Sequence, residues 1–160
     1  MKITDNFYLQ ELLISDFAAR KNISNVPSVQ HKDNLIESTV KLWQPTRKLL
    51  GAPMLVLSGY RSPKLNKAIG GCSNCPHTMG YAIDFISPGF GTPQEIVDFL
   101  MKKYLKKDIL FDKLILECPD SEVGGWVHLS YKDNFNEQNK QVLTSRYING
   151  RIQYLNGYNA

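Results

Sequence analysis

The sequence predicts an α+β fold, helices first and sheet after, and three observations predict it. Apolar residues in the N-terminal third recur at helical spacing. From about residue 51 the pattern changes to short apolar runs bounded by glycine and proline. One further helix, opened by a capping box, interrupts that second part.

Between Ser28 and Leu50, Val29, Ile36, Val40, Trp43 and Leu50 follow at steps of 7, 4, 3 and 7, the spacing of one helix face. Ser28 stands where it can cap this helix, and Pro45 should kink it or begin another. Met54 to Leu57, after Gly51-Ala52-Pro53, suits a buried strand. Ser62-Pro63, then Leu65, Ala68 and Ile69, then Gly70-Gly71, reads as a short helix with a cap, a first-position proline and a glycine stop. Tyr81 to Ile86 is an apolar run holding one acid, Asp84. Thr92-Pro93-Gln94-Glu95 opens a helix to about Lys106. Asp112 to Glu117 and Trp126 to Tyr131 read as adjacent strands joined by a loop. Tyr147 to Ile152 centres a tight hairpin on Asn149-Gly150. There is no repeat, low-complexity segment or linker, so residues 1–160 read as one domain. Its parts are a helical region to about 50, a sheet region at about 51–135 and a C-terminal hairpin at about 144–156.

A chain of 160 residues can bury a core without staples. Its 21% charged and 11% aromatic residues argue against disorder. Three cysteines cannot pair completely, which excludes a disulfide scaffold. The net charge of +4 permits attraction to an anionic polymer without demanding it. Lysines 102, 103, 106 and 107 end the capped helix, where they complement its dipole, so no nucleic-acid partner follows from them. No apolar stretch approaches the roughly 20 residues of a membrane span. Met1 to Asn6 lacks the apolar segment of a signal peptide, so synthesis in the cytoplasm is expected.

His77 and Asp84 lie seven residues apart across Gly80, and His128 sits between Val127 and Leu129 in a later strand. Two histidines and a carboxylate form a zinc set that leaves a fourth position for water. A metal there can bring the pKa of that water to about 7. A lone histidine in a strand is more often a satisfied core residue, and spacing alone leaves both readings open. His31, beside Lys32 and Asp33, reads as a surface residue.

The run Ser58-Gly59-Tyr60-Arg61-Ser62-Pro63, then Leu65-Asn66, Gly70-Gly71 and His77-x-x-Gly80-x-Ala82-x-Asp84, resembles the M15 family of zinc peptidases. Trp126-Val127-His128-Leu129-Ser130-Tyr131 resembles that family's closing histidine strand. Phe7 to Arg20 and Pro45 to Gly51 resemble the branch found in bacteriophage and bacterial wall-cutting enzymes. The resemblance implies N-terminal helices packed on a small antiparallel sheet carrying the zinc site, a Hedgehog/DD-peptidase-like arrangement. It implies that His77, Asp84 and His128 bind zinc. It also implies that Arg61 holds the substrate carboxylate or the carbonyl oxygen that gains charge, with a structural ion pair as the second reading of that residue. The activity implied is hydrolysis of peptidoglycan stem peptides at a D-amino acid, as a D-Ala-D-Ala carboxypeptidase or an endopeptidase. A monomer is expected. A wall-cutting enzyme without a leader would need another way out, such as release at lysis in a phage system.

Three positions depart from the family pattern. Many members place an acid three residues before the second histidine, where this chain has Gly125. Glu117, at the end of the adjoining strand, is the nearest substitute as general base, with Asp120 and Glu122 as competitors. Cys75 replaces an expected serine and Tyr81 a common acid, both beside the expected site. Trp126 and Tyr131 flank His128 as candidate walls of the substrate groove. Gly125 keeps a non-catalytic, metal-containing wall- or peptide-binding domain open as an alternative. Cys72, Cys75 and Cys118, with His77, offer another, a structural zinc. Chance proximity of Cys72 and Cys75 in a tight loop is the plainer reading of that pair.

Overall fold

Ser15 and Ser28 begin the helical third by accepting hydrogen bonds from the backbone N–H groups of Ala18 and His31. They open α1 (Asp16–Arg20) and α2 (Val29–Ser38). The computed structural model describes residues 1–133 and 137–157, so the boundary expected near 135 and the last three residues lie outside it. Beyond α2 the chain makes one wide turn, Thr39–Trp43, and continues as α3 (Gln44–Leu50). The kink expected at Pro45 takes this form. Proline has no N–H to donate to the preceding turn, and Gln44 N–H reaches back five residues to Thr39 O.

The buried face of this helical run differs from the expected one. Trp43 and Leu50 are buried as anticipated, but Val29 and Val40 are 79% and 48% exposed. The core stripe is Leu35, Thr39, Leu42, Thr46 and Leu50. Its two threonines escape an apolar count, yet each hydroxyl donates to a carbonyl one turn earlier, Leu35 O at 2.7 Å and Leu42 O at 2.9 Å. Satisfied in that way, they are buried at little cost.

β1 (Leu55–Ser58), β2 (Ala82–Ile86), β3 (Lys113–Glu117), β4 (Trp126–Ser130), β5 (Gln141–Ile148) and β6 (Arg151–Asn156) form one sheet in the order β1-β2-β4-β3-β5-β6. Neighbours are antiparallel except β3 and β5, which are parallel. The small antiparallel sheet expected is therefore a six-stranded mixed one. The chain leaving β4 turns back and starts β5 beside the start of β3, where Gln141 N–H donates to Asp112 O and Asn139 N–H to Asp112 Oδ1. The hairpin itself is as expected, with Asn149 and Gly150 both left-handed at φ 50° and 78°.

α6 (Pro93–Leu105) carries the anticipated capping box, Thr92 and Glu95 bonding each other's backbone N–H. It packs Ile96, Val97 and Leu100 with Ile83, Phe85, Leu114, Leu116, Val127 and Leu129, all fully buried. Strand alternation then turns Asp84, Ile115, Glu117 and His128 to the opposite face. β1 corrects another expectation, since Leu55 and Leu57 are 50% and 52% exposed on an edge strand with one neighbour.

Two short helices frame the site, α4 (Pro63–Ala68) and α5 (Pro76–Met79). The second, too short to show periodicity, was not anticipated. It stops at Gly80, whose φ is +80° and where a Cβ would lie 2.5 Å from His31 O. That close approach lets Asn34 Nδ2 donate to Met79 O at 2.8 Å and Ser38 Oγ to Gly80 O at 3.2 Å, seating α5 on α2. Among the described residues no helix is long and apolar enough to cross a membrane.

Candidate metal centre

Asp84 on β2 and His128 on β4 are register partners, so the sheet itself brings them together. His77 arrives from α5. Its Nε2 lies 3.3 Å from Asp84 Oδ1, and His128 Nδ1 lies 2.9 Å from the same oxygen. The two imidazoles meet edge to face with centroids 5.1 Å apart. All three residues are buried, and their ligand atoms lie within 4.8 Å of one another. Among the described residues this is the one group of His, Cys, Asp and Glu close enough to share an ion.

The surrounding contacts orient these donors. His77 Nδ1 lies 2.7 Å from Gly59 O. A carbonyl only accepts, so Nδ1 carries the proton and Nε2 faces the cluster. Arg61 Nη2 donates to Asp84 Oδ2 at 2.9 Å, and Arg61 Nε to Ser58 Oγ at 2.9 Å. Asp84 Oδ1 is thereby left for the histidine side. Burial alone would push the Asp84 carboxyl up, but charge on His77 and hydrogen bonds from both imidazoles hold it well below the usual carboxylate range. A fixed negative charge facing two imidazole nitrogens draws either protons or a cation. Two nitrogens, one carboxylate oxygen and supporting contacts behind them fit zinc.

Glu117 ends β3 on the same face, 8% exposed, and accepts a hydrogen bond from Ser145 Oγ of β5. Burial pushes its carboxyl up, against the pull of Ser145 and of His128. It shares a cleft of about 490 Å³ with Arg61, His77, Asp84 and His128. Gly125 has φ +75°, and a Cβ there would stand 2.2 Å from Glu117 O and 2.9 Å from Cys118 O. No acid fits at 125, and the carboxylate on this side of the cleft is Glu117. Asp120 is exposed and pairs with Arg146, Glu122 is exposed, and neither lines the cleft.

Other residues fall differently from their sequence reading. Trp126 lines the cleft, but Tyr131 is a core residue whose hydroxyl donates to Glu37 Oε1, because alternation along the strand turns it inward. Cys75 lines the cleft, whereas Tyr81 packs against Tyr131 and the core. The three cysteines are free, and Cys118 Sγ lies 3.5 Å from Ser145 Oγ, so they do not gather with His77 around an ion. Burial and a hydrogen bond with Cys72 push the Cys75 thiol up to about 11, away from a reactive thiolate. His31 is half-buried, its Nδ1 lying 3.2 Å from Tyr60 Oη, where a surface residue was expected. Lys113, Gln141, Ile152 and Tyr154 also line the cleft, and sequence reasoning missed them. Alternation back from Glu117 would have found Lys113, but the pairing that adds β5 and β6 leaves no local mark.

No curated protein matches this chain. The family model described as Peptidase M15 matches residues 5–114, well over half of it. That stretch contains Arg61, His77 and Asp84, while Glu117, Gly125 and His128 lie beyond it. M15 peptidases are zinc enzymes, and the His77, Asp84 and His128 cluster supplies the donors such an ion takes. On this family match the chain belongs to the Peptidase M15 family.

Proposed function

We propose that the chain is a zinc peptidase that hydrolyses peptide bonds in peptidoglycan stem peptides at a D-amino acid, as a D,D-carboxypeptidase or an endopeptidase. The observation that carries this reading is one cleft holding His77, Asp84 and His128 together with the buried carboxyl of Glu117. The three clustered residues would hold the ion, which when bound polarises a carbonyl and activates water. Glu117, its pKa raised by burial, takes a proton from the attacking water and gives it to the leaving amine. Arg61 uses Nε and one Nη2 donor to position Ser58 and Asp84. Its remaining N–H groups serve a substrate carboxylate or the oxygen that gains charge. One hydrophobic cluster joins Phe7, Leu35 and Trp43 to the sheet, which supports residues 1–160 acting as a single domain; the same proposal takes it to be a monomer with a Hedgehog/DD-peptidase-like arrangement.

His77→Ala tests the reading. Zinc content by elemental analysis and wall fragments released from purified peptidoglycan should both be lost, and full activity in this variant overturns the proposal. The alternative is a non-catalytic wall-binding domain, which Gly125 would favour if no other carboxylate served the cleft. Glu117 weighs against it. A wild-type protein that binds one zinc yet releases no product would restore it.

A further inference from the structure

The cleft does not end at the metal cluster. Across the sheet from Asp84 and His128 it continues over Ile115 and Leu143, partners on β3 and β5, to Lys113 and Gln141, the pair two residues earlier on the same face. Ile115 is also the partner of His128, so Lys113 stands two residues further along β3. Ile152 and Tyr154 of β6 wall this arm, 51% and 56% exposed. Lys113 is half-buried in the cleft and makes no ion pair or hydrogen bond with any described side chain. The cleft's two acids are otherwise engaged, Asp84 by Arg61 and the imidazoles and Glu117 by Ser145. Arg61 lies on the β1 side of the cluster and Lys113 on the β5 side, so the two cations bracket it.

We propose that Lys113, with Gln141 beside it, forms a second anion subsite that takes a carboxylate carried by the substrate peptide. The distance sets where that carboxylate sits. Two strand residues advance about 6.6 Å, the span of about two residues of an extended peptide bound over the same face. The apolar floor of Ile115 and Leu143 carries the intervening residue, and Gln141 adds an amide donor beside the ammonium. This inference rests on the peptidase reading for the identity of the ligand as a peptide. It adds a preference, for a peptide with a free carboxylate about two residues from the scissile bond over the same peptide with a carboxamide there.

The test uses the full zinc-loaded chain and two D-amino-acid-containing peptides that differ only in carboxylate or carboxamide at that residue. Each is N-methylated at its amides so that it is not cut, and binding is measured by calorimetry. The wild type should bind the carboxylate peptide about ten-fold more tightly, the lower end of what a charge-assisted hydrogen bond supplies. Lys113→Met should bind both equally, and Lys113→Arg should retain most of the preference. Equal affinities in the wild type, or a preference that survives Lys113→Met, overturn the subsite. Hydrolysis of the unmethylated pair separates the two ideas. Preferential binding without cleavage defeats the peptidase reading and leaves the subsite, whereas cleavage without a Lys113-dependent preference defeats the subsite alone.

Discussion

A glycine and a glutamate share one constraint in this cleft. The left-handed backbone of Gly125 brings it within 2.2 Å of Glu117 O, counted from the Cβ a side chain would need. Gly125→Ala therefore meets both positive φ and a backbone collision, and should cost about 1–3 kcal/mol by thermal unfolding. Because the colliding atom belongs to Glu117, peptide hydrolysis should fall with stability, not survive it. Glu117→Gln isolates the carboxyl. The amide oxygen can still accept from Ser145, so the fold should persist while turnover drops by about 10²–10⁴. Its effect on stability has a defined sign. Burial raises the folded carboxyl above its ordinary value of 4.5, so the stability linked to its protonation is complete below that value and is lost as pH rises through the folded pKa. In the metal-free proteins, Tm of Glu117→Gln should equal the wild type near about pH 4 and exceed it at about pH 8. A variant less stable at the higher pH would show that the ionised carboxyl is held by favourable contacts instead.

At the level of elements, what fixes Arg61 is a cap. Ser62 Oγ accepts from Leu65 N–H at the start of α4 and donates to Ser24 O at 2.8 Å, while Ser62 N–H donates to Asn25 Oδ1 at 2.7 Å. Arg61 is the preceding residue. Ser62→Ala loses both hydroxyl bonds at a buried position and should cost about 1–2 kcal/mol by denaturant unfolding. Such elements were legible because their chemistry is local. Ser62-Pro63, the Thr92–Glu95 box and the Asn149-Gly150 turn each state their structure within a few residues. The candidate ligands were legible as residue types, and their order resembled a family, but their meeting depends on the Asp84–His128 register, which no local pattern encodes. The parallel pairing of β3 with β5 is silent for the same reason, and with it went Gln141 and Tyr154 as cleft residues. Thr39 and Thr46 hid the core face of the helical run because burial there follows hydrogen bonding and not hydropathy.

The whole molecule couples these elements through the three residues at its centre. His77 comes from α5, which is seated on α2, while Asp84 and His128 join two strands of the sheet, so an ion held by all three ties the helical part to the sheet. Any ligand that binds only the folded state adds RT ln(1 + [L]/Kd) to stability, about 2.7 kcal/mol at one hundred times Kd. The unfolded chain cannot gather donors separated by some fifty residues, so this gain should be nearly complete. Chelation of the zinc-loaded protein should therefore lower Tm by several degrees, and added zinc should restore it. Asp84→Asn removes the charge that would hold the ion while leaving the side chain close to its original size. Its Tm should respond to neither chelator nor zinc. A wild type whose unfolding ignores both would mean that the two imidazoles and the carboxylate are a closed structural network, with Arg61 as its fourth member and no place for an ion.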